Sequence, residues 1–99
     1  MSRRESEGNN SLHPLQKAIV LSLSKHGPQT MNKTVKKMNK QSYKPSHTAF
    51  KSLEKKGILT KVRTKLYHGN QFPEFWLTPV GILTALIEGA SATDLLTQT

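Results

Sequence analysis

Ninety-nine residues suffice for one domain with one modest core and not for two independently stable ones, and 34% hydrophobic with 21% charged residues reads as a chain that is part folded and part loose. Fifteen Lys or Arg against six Asp or Glu give a formal net charge of +9, a balance that favours a polyanionic partner. The absence of cysteine excludes disulfides, thiolate zinc sites and a cysteine nucleophile, and no apolar run approaches the roughly 18 to 20 residues of a membrane span.

The first residues, Met1 to Glu5, lack the apolar stretch of a signal peptide, so the protein is expected to be soluble and cytoplasmic. Residues 1–11 contain no apolar residue after Met1 and are expected to form a disordered N-terminal tail. From there Leu12, Leu15, Ile19 and Leu23 recur at helical spacing, with Pro14 in the first turn, which predicts a first helix ending near His26, Gly27 and Pro28. Leu21 points away from that stripe and asks for a second packing partner, such as another subunit.

Thr30 is placed to cap a short second helix in which Met31, Val35 and Met38 form the apolar stripe and Lys33, Lys36, Lys37 and Lys40 lie elsewhere. Residues 41–44 read as a turn, and Pro45 opens a third helix running to about Lys56, with Gly57 just past its end. Beyond Gly57 the period changes from 3.6 to 2. Ile58, Thr60, Val62, Thr64 and Leu66 alternate with Leu59, Lys61, Arg63, Lys65 and Tyr67, which predicts a strand with a basic outer face. Residues 68–73 are rich in turn formers, and Phe75, Trp76 and Leu77 make a return strand in which one of the two aromatics belongs to the core.

Thr78 and Pro79 open a fourth helix through Val80, Ile82, Leu83, Ala85, Leu86 and Ile87 to Gly89. Its apolar residues occupy nearly the whole circumference, which calls for burial on more than one side and, in so small a domain, for a two-fold partner. Leu21, Ile82, Leu83, Leu86 and Ile87 are therefore the expected dimer interface. The domain is expected to span residues 12–90, with 91–99 a C-terminal tail in which Leu95 and Leu96 make at most a weak extension.

Projected at 100° per residue, the third helix divides cleanly. Ser46, Phe50 and Leu53 face one way, while Lys44, His47, Thr48, Lys51, Ser52 and Lys55 form a basic, hydroxyl-bearing face without acids or large apolar groups. A helix that enters the DNA major groove needs this division, one face anchoring to the domain and the other offering donors to phosphates and base edges. Lysines taken singly on a helix read as a solvated face. Twelve of the fifteen basic residues, against one of the six acids, fall between Lys25 and Lys65, and that concentration reads as a contact surface.

The run Phe50, Leu53, Glu54, Lys55, Lys56, Gly57, Ile58, Leu59 resembles the recognition-helix end of many winged-helix regulators, and Trp76, Leu77, Thr78, Pro79, Val80, Gly81 resembles the end of their wing and the start of their last helix. The likeness is to small prokaryotic, especially archaeal-type, transcription regulators of the MarR, PadR and ArsR-like superfamily, over roughly residues 12–90. It implies an α+β winged helix-turn-helix of three helices, a β-hairpin wing and a C-terminal dimerisation helix. It further implies that Ser46, His47, Thr48, Lys51 and Ser52 approach the major groove of double-stranded DNA, with Lys44 and Lys55 nearer the backbone. Lys61, Arg63 and Lys65, with His68 and Asn70 at the wing tip, would reach flanking phosphates or the minor groove. The groove-facing set contains no Arg, Asn or Gln, so it is better equipped to grip phosphate than to read bases.

The four histidines, His13, His26, His47 and His68, have neither the spacing nor the neighbouring carboxylates of a zinc site, and no nucleophile elbow, phosphate-binding glycine loop or carboxylate pair signals an enzyme or a cofactor. No residue pattern demands a small-molecule effector. The leading expectation is a homodimeric, nucleoid-associated transcription regulator. The alternatives are a winged-helix protein-interaction adaptor and a non-specific architectural or single-strand binder, the last disfavoured by the lack of exposed aromatic platforms.

Overall fold

Pro14 stands in the first turn of helix α1 (Pro14–His26), where its missing N–H leaves no hydrogen bond unmade, and the His13 N–H donates to Gln16 Oε1 at 3.3 Å. The computed structural model containing this helix describes residues 12–38 and 43–98, without the side chains of 43–45; the expected tail at 1–11 and much of the expected turn at 41–44 lie outside the described residues. Ile19, Val20 and Leu23 of α1 are fully buried, with Leu12 and Leu15 packed beside them. Val20, off the predicted stripe, is buried because α1 is the central helix, touching elements on several sides.

Strand β1 (Gln29–Thr30) follows at once. Two residues carry no readable period, and it is only through pairing of Gln29 with Phe75 and Thr30 with Glu74 that they become a strand. Thr30 Oγ1 then accepts the Lys33 N–H at 3.2 Å and caps α2 (Met31–Lys37), as its position predicts. Val35 is buried and Met31 and Met38 pack against the core, while the Thr34 hydroxyl, also buried, donates to the Thr30 carbonyl at 2.9 Å.

Helix α3 (Tyr43–Lys55) takes in Tyr43 and Lys44, expected as turn, so that Pro45 lies inside its first turn rather than opening it; it buries Ala49, Phe50 and Leu53 and ends before Gly57. There the Ile58 N–H donates to the Leu53 carbonyl and the Gly57 N–H to that of Glu54, both at 3.0 Å, the double bond pattern that closes a helix with glycine just past its end. Strands β2 (Leu59–Tyr67) and β3 (Asn70–Leu77) pair antiparallel in a sheet of order β1-β3-β2. His68 and Gly69, at φ 52° and 80°, form a two-residue turn whose twist matches the strands, so the connection is shorter than the expected loop at 68–73. Pro73 is tolerated inside β3 because β1 reaches only Glu74 and Phe75, leaving the outer side of residue 73 without a strand to pair.

Phe75 is the core aromatic of the return strand, its ring 5.1 Å from that of Phe50, and Trp76 is half-buried. Beyond Leu59 every residue of β2 is exposed, since the hairpin projects past the helical layer and only the stretch of β3 from Pro73 to Leu77 is covered.

Thr78 Oγ1 accepts the Gly81 N–H at 3.0 Å and Pro79 begins α4 (Pro79–Ile87), as predicted. Gly81 lies against the turn after α3: a Cβ there would fall 2.1 Å from the Ile58 carbonyl oxygen, so no other residue fits. The segment expected as a C-terminal tail is instead partly helical. In α5 (Ala92–Gln98), opened by the Ser91 hydroxyl accepting the Asp94 N–H, Leu95 is buried against the core and Gln98 Nε2 donates to the Lys25 carbonyl at 3.0 Å. One buried leucine and one polar tie to α1 suffice where the composition shows little apolar content.

Candidate nucleic-acid interface

The buried side of α3 fixes which side is left for a partner. His47, Thr48, Lys51 and Lys55 are exposed, on the face opposite Phe50 and Leu53, as the helical projection places them. Ser46 is not on that face. It is 1% exposed and sits with Phe50 on the core side, so its expected approach to the groove is corrected; the same projection that groups it with Phe50 and Leu53 carries the right answer. The side chain of Lys44 lies outside the described residues.

Ser52 is also drawn inward, only half-buried but engaged. The buried Gln16 of α1 donates from Nε2 to Ser52 Oγ at 3.1 Å, while its Oε1 accepts from Lys56 Nζ at 3.1 Å. Gln16 thus ties the C-terminal half of α3 to the central helix from two directions, and Ser52 is an anchor of the recognition helix rather than an open donor on it. A glutamine inside a helical stripe of leucines and isoleucine is the one sequence signal that could have found this tether.

On the hairpin, Lys61, Arg63, Lys65, His68 and Asn70 are all exposed. The expected single basic face of β2 is corrected by a bulge: Lys61 stands opposite Phe75 but Arg63 stands opposite Glu74. One extra residue in β2 flips the alternation, so Lys61 and Arg63 point to opposite faces of the ribbon. Lys61 leans back toward α3, its Nζ 4.0 Å from a Glu54 carboxylate oxygen. Arg63 is held by Glu74, whose buried carboxylate accepts from Nε while most of the arginine side chain remains exposed. Glu74, the acid that orients this cation, is the lone acidic residue between Glu54 and Glu88, an isolation that marks it in the sequence. At the tip the Tyr67 and His68 rings meet edge to face with centroids 4.2 Å apart.

Between α3, the start of α2 and the hairpin lies an open cleft of about 440 Å³, to which His47, Lys51, Lys61 and Phe72 contribute. It continues past Thr30, Asn32 and Phe72 into a second cleft of about 310 Å³ between α2 and the hairpin. The interface is therefore a ridge of α3 and a projecting ribbon with a groove between them, rimmed by cations with Glu54 as the acid among its lining residues. Among the described residues no three His, Cys, Asp or Glu side chains cluster closely enough to hold a metal ion, and no helix is long and apolar enough to cross a membrane.

Of the apolar residues expected at a subunit interface, Leu83, Leu86 and Ile87 are exposed on α4, at 63%, 41% and 82%. Leu21 is half-buried, and so is Ile82, which packs against the core of its own protomer. Ile82 therefore serves the core of its own domain, and Val80, also on α4, is exposed beside the three uncovered residues.

No family model matches the sequence, and no curated protein matches it. Solved structures do. The Staphylococcus aureus MarR, in complex with salicylate and kanamycin, superposes with a TM-score of 0.65 at 20% identity, over 84% of this chain and 53% of that one. A MarR family transcription regulator superposes at 0.70 and 18% identity, over 94% and 60%. The adhesin competence repressor of Streptococcus pyogenes does so at 0.62 and 22%, over 86% and 60%. The chain spans little more than half of these regulators' length. With its helix-turn-helix, three-stranded antiparallel sheet and hairpin wing, it has the winged-helix fold of the MarR-family transcription regulators.

Proposed function

We propose that the protein is a double-stranded DNA-binding transcription regulator that acts as a homodimer, by binding and not by catalysis, and that it resides with the nucleoid. The exposed face of α3 (His47, Thr48, Lys51, Lys55) enters the major groove, and Lys44, in the first turn of that helix, contacts the backbone. Lys61, Arg63, Lys65, His68 and Asn70 of the wing reach the flanking backbone or minor groove. The observation that carries this reading is the sidedness of α3: its core face is closed by Phe50, Leu53 and Ser46, and the face left open is cationic and adjoins a cationic ribbon.

The uncovered leucines and isoleucine of α4 support a two-fold partner, since an apolar patch of this kind on a small soluble domain marks an interaction surface. Two recognition helices would then meet half-sites about 34 Å apart, one turn of the double helix. The test is duplex binding followed across a range of salt. Phosphate contacts release counterions, so log affinity must fall steeply and linearly with log salt, whereas affinity indifferent to salt contradicts the reading.

A further inference from the structure

Tyr67 and Phe72 are unusual among the aromatic residues of this chain. Phe50 and Phe75 are core, but Tyr67 is 61% and Phe72 37% exposed, and both line the second cleft, between α2 and the wing. Three lysines, Lys33 and Lys36 from one face of α2 and Lys65 from β2, line the same cleft, and no acid does. The sequence alone predicts no exposed aromatic platform, but the hairpin supplies two, because the ribbon projects beyond the helices that would have covered them.

We propose that this cleft is a second nucleic-acid site, one that takes an unpaired strand, with its bases against Tyr67 and Phe72 and its phosphates between Lys33, Lys36 and Lys65. This goes beyond the duplex reading and does not depend on it. A stacked duplex offers base faces only at its ends, so along its length exposed rings find methyl, sugar or wedge contacts and no base to stack on without unstacking a step. An unpaired strand offers every base face, and a cationic groove interleaved with aromatic side chains is the arrangement that holds one without regard to sequence. The cleft, about 310 Å³, is large enough for a nucleotide, and its opening past Asn32 into the neighbouring cleft gives the strand a continuous path toward Lys51. The two sites would share Lys65, so strand and duplex would compete in part.

Fluorescence anisotropy of a labelled oligothymidylate, which forms no structure of its own, and of a labelled duplex tests this with the full chain. The variant Tyr67→Leu with Phe72→Leu keeps apolar bulk and removes both rings at exposed positions, and Lys33→Gln with Lys36→Gln removes two charges. Either pair should weaken oligothymidylate binding by about tenfold or more, by loss of stacking or of phosphate contact, and weaken duplex binding severalfold less. Unchanged oligothymidylate binding in the ring variant, equal losses on both probes, or failure of the native chain to bind oligothymidylate would overturn the proposal. Failure of the native chain on duplex alone would sink the major-groove reading and leave this one standing.

Discussion

Lys51 and Lys55 stand one helical turn apart on the exposed face of α3, so both can reach the backbone that lines a major groove. If each neutralises one phosphate, the slope of log affinity against log salt becomes shallower by about 0.9 per lysine removed. At about 0.15 M salt that slope corresponds to roughly fivefold in affinity for each contact, and to about thirtyfold for the pair. Lys51→Ala with Lys55→Ala should therefore bind duplex about thirtyfold more weakly at that salt, with the slope reduced by about 1.8. Lys25→Ala, exposed at the far end of α1, should change neither. Anisotropy titrations at four or so salt concentrations measure both quantities, and thermal melts confirm that folding is untouched. A double variant with the native slope would refute the placement of α3, whatever its affinity, because charge contact and slope cannot be separated. Equal losses for Lys25→Ala would reduce the effect to net charge.

Other consequences follow from the packing. Gly81→Ala drives a methyl into the Ile58 carbonyl, which is backbone and cannot swing aside, and should cost about 2–3 kcal/mol and lower Tm by roughly 10 °C or more; an unchanged melt would contradict the contact. Gln16→Leu keeps the bulk but strands the Ser52 hydroxyl, and should cost about 1–2 kcal/mol and speed hydrogen exchange in the last turns of α3, where unaltered exchange would remove the tether. Leu83→Asp with Ile87→Asp places charges on the uncovered face of α4 and should turn a sedimenting dimer into a folded monomer. A native chain that is itself monomeric at micromolar concentration would contradict the two-fold partner.

What the sequence makes legible is what has a local cause. Thr30 and Thr78 cap the helices they precede, Gly57 ends α3, and Pro79 opens α4, each because a few neighbouring residues decide the matter. What stayed hidden depends on partners distant in the chain. Strand β1 exists only by pairing with residues some forty-five positions later, and α5 only because Leu95 and Gln98 meet the core and α1. The site divides in the same way. Helical projection gives the exposure of His47, Thr48, Lys51 and Lys55 and the burial of Ser46, whereas Ser52, which it also puts on the open face, is drawn in by Gln16 from a different helix. The split of Lys61 from Arg63 needed knowledge of a bulge, and alternation counted along one strand cannot reveal a residue inserted relative to its neighbour.

The central claim is that duplex DNA meets the open face of α3 and the wing. Backbone amide shifts of the isotope-labelled chain, followed by NMR during titration with a short duplex at physiological salt, test it residue by residue. The account predicts perturbations concentrated at residues 47–55 and 61–70, with α4 and α5 quiet. Shifts centred on α4 and α5, or none at saturating duplex, would contradict it.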